Sequence, residues 1–193
     1  MKFIRAVVTN KYICIATLII SFAYSVYYLK FGDLLNSSLC SIGRREPERY
    51  RIWCAVTVIA VFFNVNRLYY LTRFKSAWGH VFLYFSLVFL LINYYTLYYW
   101  DDELIYNIHM TSSILSGAFC ILSFMICIIK ESFSSNLYLI LMILFIMVTI
   151  ISFAMITMLN FTACVFETIP LLMGYIILFI INTFTKRKKL KVE

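Results

Sequence analysis

The chain has 193 residues, 63% of them hydrophobic and 13% charged, with 18 Phe, 15 Tyr and a mean hydropathy of +0.89. That balance excludes a soluble globular fold. The net charge of +8 points to no nucleic-acid partner, because basic clusters at the two ends account for it.

Apolar segments of about 20 residues recur along the chain, each long enough to cross a hydrocarbon layer as a helix. Inside a bilayer each span must satisfy its own backbone polar groups, and these unbroken runs lack the alternation of barrel strands. The predicted fold class is therefore all-α, a polytopic transmembrane helical bundle of six spans forming one domain over 1–193. The first span is placed at about 12–28. It follows a basic start but is long for a signal peptide's apolar region, with no small-residue cleavage site after it, so it is expected to remain as an anchor. A charged loop, 30–51, follows, and within it "RREPERYR" (44–51) holds six charges in eight residues. The next spans are predicted at about 52–71, with Arg67 near its end, and 81–99, led by His80. After the acidic "DDE" of 101–103 come 108–129, led by His109, then 137–159 and 164–184. Pro170 and Gly174 interrupt the last span and predict a kink.

Lys2, Arg5 and Lys11 at one end and Lys186, Arg187, Lys188, Lys189 and Lys191 at the other suggest that both termini are cytoplasmic, in agreement with an even number of spans. Loop 30–51 then faces the lumen, although its five basic residues count against the rule. The two Asn-x-Ser/Thr sequons, at Asn36 and Asn160, also fall on the lumenal side as candidates for glycosylation. The closing "KLKVE" resembles a dilysine retrieval signal built on Lys189 and Lys191. It implies coat-protein retrieval machinery as a partner and residence in the Golgi or endoplasmic reticulum; the other reading is a basic flank touching anionic lipid.

Of six cysteines, Cys14, Cys120 and Cys127 fall within spans as small hydrophobes. Cys40 and Cys164 are candidates for a disulfide in an oxidising compartment, with Cys54 as a competing partner. No Cys/His spacing matches a zinc site, so neither a metal nor a cofactor is expected.

The stretch "SIGRREPERYRIW" (41–53), a small-residue turn followed by Pro47-Glu48 and an aromatic-flanked helix, resembles the family that groups the post-GPI-attachment-to-proteins factors with the damage-regulated autophagy modulators. Arg67, the His109-led "NIHMTSSILSGAF" (107–119), Cys164 and Asn182 are similar to other positions of that family, and "PERYRIW" tilts the resemblance towards its GPI-anchor branch. Two places depart from that branch: Asn160 stands where a histidine is usual, and Tyr175 and Ile176 where an acidic residue is. The resemblance implies lipid remodelling of GPI anchors, with acyl transfer to a lyso-GPI intermediate and membrane lipids as partners. The alternative it implies is a non-catalytic membrane regulator or adaptor. A transporter is disfavoured by the scarcity of ionisable residues in the spans and the lack of an inverted repeat.

Among the polar residues, His109 shares a predicted helix face with Ser112, Ser113 and Ser116. A base beside a hydroxyl at headgroup level suits acyl transfer; the same residues also suit close helix packing with a cross-bundle hydrogen bond. Glu167 is the second catalytic candidate, or else a partner of Arg49 or Arg51, or a hydrated boundary residue. Arg49 and Arg51 are candidates for binding phosphate headgroups through their guanidinium forks, within a cap held by internal ion pairs. A solvated, self-neutralising loop is the other reading. Arg67 is expected to snorkel to the interface.

Overall fold

The computed structural model describes residues 2–96, 102–158 and 163–186. Among them the helices are α1 (Lys2–Thr9), α2 (Lys11–Tyr28), α3 (Leu39–Arg45), α4 (Pro47–Thr72), α5 (Ala77–Thr96), α6 (Glu103–Ser132), α7 (Asn136–Met158) and α8 (Cys164–Phe184), with a 3-10 turn at Leu29–Phe31. Six of these are long and apolar enough to cross a membrane, α2 running on through the 3-10 turn to Phe31. The chain is an all-α bundle of the membrane-spanning kind. Its lipid-facing skin is apolar, as on α7, where Ile140, Ile143, Met147, Ile150 and Phe153 are all exposed.

Helix ends follow local chemistry. Asn10 separates α1 from α2, its side-chain oxygen accepting from the amides of Tyr12 and Ile13 at 3.0 and 3.3 Å. Asp102 caps α6 in the same way through Leu104 and Ile105. Pro47 occupies the first turn of α4, where its missing N–H costs no hydrogen bond. The charged stretch 44–51 is therefore the end of α3 and the start of α4, so a loop expected over 30–51 is largely helical. Span α4 begins at Pro47 rather than 52, and α6 extends to Ser132 rather than 129. Helix α8 runs unbroken through Pro170 and Gly174, leaving the Phe166 carbonyl without its intrahelical donor.

α5 packs most extensively on α6, α2 on α4, and α7 on α8; α6–α7 and α2–α8 contacts close the bundle. The main core runs through its middle and one end, with Leu18, Leu68, Leu83, Ile128, Ile177 and Ile181 buried. A second, aromatic cluster fills the other end, where Tyr28 stacks on Trp53 at 5.7 Å beside Tyr50 and Ile42. Small residues let the backbones approach. Ser86 and Ser116 donate reciprocally to each other's carbonyls at 2.9 and 3.0 Å, and Ser123 donates to Gly79 at 2.9 Å.

Asn182 donates to the Asn64 side-chain oxygen at 2.6 Å, and Asn64 donates onward to the Cys14 carbonyl and the Thr17 hydroxyl at 3.1 and 3.0 Å, tying α8, α4 and α2. Higher in the same seam Tyr175 donates to Thr57 and accepts from Ser21. Arg67 does not snorkel. It is buried and donates to the carbonyls of Val8 and Thr9 at 2.8 and 3.1 Å, capping the C-terminus of α1.

Candidate functional site

The N-termini of α4, α6 and α8 and the C-termini of α2 and α5 meet at one end of the bundle, under α3. The segment between α2 and α3 folds over this end. Asp33 accepts from the amides of Leu35 and Asn36 and from the Asn36 side chain, which holds its carboxyl below the usual range. Ser37 forms a parallel bridge with Ala163. The free amides that open α8 donate into this segment, Cys164 to the Ser37 carbonyl at 2.7 Å and Val165 to that of Leu34 at 3.3 Å. In return the Glu167 carboxylate accepts from the Leu39 amide at 2.7 Å, at the start of α3. Gly32 is required here, since a Cβ would meet Ile42 Cγ1 at 2.6 Å.

These contacts do the work expected of a Cys40–Cys164 disulfide. Both thiols are free: Cys164 Sγ is directed to the Asp33 carbonyl at 3.5 Å, while Cys40 Sγ lies 3.3 Å from His109 Nε2. The loop is pinned to α8 by backbone hydrogen bonds instead, with the two sulfurs engaged by different partners. Glu167 serves as a cap for α3 and has no ion pair with Arg49 or Arg51.

Those arginines pair within their own helix turn, Arg49 with Glu46 at 2.7 Å and Arg51 with Glu48 at 2.9 Å. Arg49 also lies over the Phe31 ring at 3.9 Å and Arg51 over Tyr94 at 5.6 Å, so the predicted self-paired cap is present and anchored on aromatic faces.

Beneath it lies a buried polar node. His109 is fully buried at 0% exposure, yet it sits at the rim of the bundle rather than its middle. Its Nδ1 is 3.1 Å from the Asn93 carbonyl and 3.1 Å from Thr96 Oγ1. A carbonyl can only accept, and the Thr96 hydroxyl already donates to the Ile92 carbonyl at 2.8 Å, so Nδ1 carries the proton. Nε2 is left as an acceptor, facing the Cys40 thiol. The Asn93 side chain ties the node together: its oxygen accepts from the Tyr50 hydroxyl, and its amide donates to Ser113 Oγ and to the His109 carbonyl at 3.3 Å. α3, α4, α5 and α6 thus each contribute one group or more.

The serines of α6 share the face of His109 as predicted, but Ser112 and Ser113 donate to the His109 carbonyl at 2.9 and 3.0 Å and Ser116 bonds α5. Asn93, Tyr50 and Thr96 escaped the sequence reading, and Cys40 was assigned a different partner. An asparagine set in the apolar run of 81–96 was the available signal, since a buried amide in hydrocarbon needs partners on neighbouring helices.

An open apolar groove of about 270 Å³ lies between α5 and α6 at this end, lined by Phe89, Ile92, Leu104, Ile108, Thr111 and Ser112 among others. Ser112, one turn from His109, borders both groove and node. Glu167, Arg49 and Arg51 do not line it.

Burial pushes the Cys40 thiol up to about 12, and the Glu167 carboxylate adds to the shift. The sulfur therefore rests as the thiol, facing Nε2. Such an arrangement can move a proton from sulfur to Nε2 when a charge-accepting group arrives. No group of three or more His, Cys, Asp or Glu among the described residues could hold a metal. Asn160, Lys189 and Lys191 lie outside the described residues. No family model matches the chain, and no curated protein or solved structure matches it.

Proposed function

We propose that this chain is a Golgi or endoplasmic-reticulum membrane protein of GPI-anchor lipid remodelling, which transfers a fatty acyl chain to a lyso-GPI intermediate at the α3 end of the bundle. The observation that carries the reading is His109, whose Nδ1 is fixed by the Asn93 carbonyl so that Nε2 is a ready proton acceptor one turn from a lipid-facing groove. The resemblance of "SIGRREPERYRIW" supplies the substrate class. In the reaction His109 takes the proton of the attacking group and returns it to the leaving oxygen. Arg49 and Arg51, held against Phe31 and Tyr94, meet the headgroup phosphates, and Glu167 keeps α3 in place. The dilysine pair Lys189 and Lys191 would engage retrieval coat proteins.

The test is rescue of surface GPI-anchored proteins in cells that lack their endogenous remodelling factor. Wild-type protein restores them and His109→Ala, at equal abundance, does not; equal rescue by His109→Ala removes the base. A second reading, a non-catalytic regulator or adaptor, is favoured by the complete burial of His109 among hydrogen-bond partners, as in a structural latch. His109→Gln separates the two, because glutamine keeps hydrogen bonding without a titratable base: rescue by it supports the latch.

A further inference from the structure

We propose that Cys40 is the nucleophile of this site and carries the acyl chain as a thioester between donor and acceptor lipids. This rests on the acyl-transfer reading above and adds to it a covalent step and an attacking residue.

The geometry of the node leads there. His109 is sealed, with Nδ1 closed off by the Asn93 carbonyl and Thr96, and Nε2 covered by the Cys40 sulfur at 3.3 Å with the Asn93 amide at 3.5 Å. A group approaching Nε2 meets Cys40 beside it. Cys40 as a residue is half-buried whereas His109 is fully buried, so the cysteine is the member of the dyad nearer the surface. The order Asn93 carbonyl, imidazole, sulfhydryl is the orienter, base and nucleophile sequence of covalent acyl transfer. Ser113 does not take this role. Its hydroxyl donates to the His109 backbone carbonyl, so its one proton is already committed, and it stands 3.9 Å from Cys40 Sγ.

Two balanced steps follow, with no change of oxidation state. In the first, Cys40 Sγ adds to the carbonyl carbon of an ester-linked acyl chain of a glycerophospholipid as its proton passes to Nε2. The carbon–oxygen bond then breaks, and the departing lysophospholipid oxygen takes that proton. In the second, the hydroxyl of a lysolipid acceptor gives its proton to Nε2 and adds to the thioester; the carbon–sulfur bond breaks and the sulfur is reprotonated. A lipid ester is the donor class that fits, because the groove between α5 and α6, which meets the node at Ser112, is lined largely by apolar side chains, among them Phe89, Ile92, Leu104 and Ile108.

The experiment uses the full chain, purified and reconstituted in phosphatidylcholine vesicles whose acyl chains carry a terminal alkyne, without lysolipid acceptor. The expected result is a covalent label on Cys40 that neutral hydroxylamine releases, absent in Cys40→Ala. Labelling in His109→Ala should be slower by about 10²- to 10⁴-fold, the usual contribution of a general base. In Cys40→Ser, which keeps the size of the site, any label should resist hydroxylamine as an oxygen ester. Adding a lysolipid should discharge the wild-type label onto the lipid. No label on wild-type Cys40, or equal labelling in His109→Ala, overturns the proposal. Wild-type rescue of GPI-anchored proteins by Cys40→Ala also overturns it while leaving the remodelling reading intact. A thioester that discharges to lysolipid in a protein that fails the cellular rescue upholds the nucleophile and refutes the GPI substrate.

Discussion

Tyr50 and Asn93 offer a quantitative test of the node. The two residues are 2% and 1% exposed, and the phenol donates to the amide oxygen inside the bundle. Tyr50→Phe keeps the ring against Trp53 at 5.7 Å but leaves the Asn93 oxygen without its donor. Stranding such a buried group costs about 1–3 kcal/mol, although bonds between membrane helices average only ~0.6 kcal/mol and reach ~1.7. We expect about 1–2 kcal/mol for this variant. Asn93→Leu, of similar shape, also removes the donors to Ser113 and to the His109 carbonyl, so about 2–3 kcal/mol is expected. The His109 carbonyl still accepts from Ser112 and Ser113, which limits the loss. In the double variant both polar groups of the pair are gone and nothing is stranded between them. Its cost should fall short of the sum of the single costs by about 1–2 kcal/mol. Reversible SDS unfolding in mild detergent measures all four proteins. Additivity within about 0.5 kcal/mol would refute the claim that these side chains form one buried unit. The Asn93 backbone carbonyl is unchanged in both variants, so His109 should keep its tautomer.

Further substitutions probe both ends of the bundle. Glu167→Gln retains an acceptor for the Leu39 amide and should leave stability nearly unchanged, whereas Glu167→Ala uncaps α3 at about 0.5–2 kcal/mol by thermal unfolding. Both remove a negative charge that helps hold the Cys40 thiol up near 12, so alkylation of Cys40 by iodoacetamide at pH 8 should be faster in either than in wild type. The sign also fixes the pH window. Because the folded value lies above the ordinary 9.0, the stability linked to this thiol is fully present below about 9 and is lost as pH rises towards 12; Cys40→Ser should flatten that part of the profile. At the opposite end, a Cβ on Gly79 would meet Phe74 Cε1 at 2.7 Å and Tyr69 Oη at 2.9 Å, and Tyr69 is tied to Ser123. Gly79→Ala should therefore destabilise by about 1–3 kcal/mol, read from the same unfolding assay.

The spans were legible because membrane insertion imposes a one-dimensional rule: about 20 apolar residues in a row, whatever the neighbours do. Asn10, Asp102 and Pro47, all short-range signals, set the helix ends that composition left vague. The node was not legible in the same way. Its members come from 40, 50, 93, 96, 109 and 113, and nothing local to Asn93 or Tyr50 shows which helix it will face. Cys40 and Cys164 illustrate the limit. The sequence reading set them in two lumenal loops, whereas Cys40 lies in α3 and Cys164 opens α8, and the choice between sulfur and imidazole as the partner of Cys40 is a matter of rotation in α3. Arg67 misled for a related reason: snorkelling is the expectation for an arginine near a span end, and the carbonyls that hold it belong to a short helix, α1, that hydropathy did not register.

Orientation across the membrane can be argued from charge once the helices are known. Lys11 donates to the Thr183 carbonyl at 3.1 Å, so the start of α2 and the end of α8 share one face, together with Arg73, Lys75 and Lys130. The other face carries Lys30, Arg44, Arg45, Arg49 and Arg51, enough to compete by number. Arg49 and Arg51, however, are bonded to Glu46 and Glu48 within their own helix turn, and Arg45 donates to Ser37. Lys186 and the basic residues that follow it in sequence add to the first face by number, and this favours the α3 end as the lumenal one. Asn36 provides the measurement, being exposed on that end within the sequon Asn36-Ser37-Ser38. In the fold its side chain donates to Asp33 at 2.9 Å and Ser38 caps α3 through the Ser41 amide at 3.0 Å, so the glycan must be added before this segment closes. Expression in microsomes should yield an endoglycosidase-sensitive band that Asn36→Gln removes and Asp33→Ala, by freeing the acceptor amide, strengthens. Glycosylation of a sequon appended to the C-terminal tail, with Asn36 unmodified, would reverse the orientation and place His109 and Cys40 in the cytosolic leaflet, where the lumenal remodelling reaction could not take place.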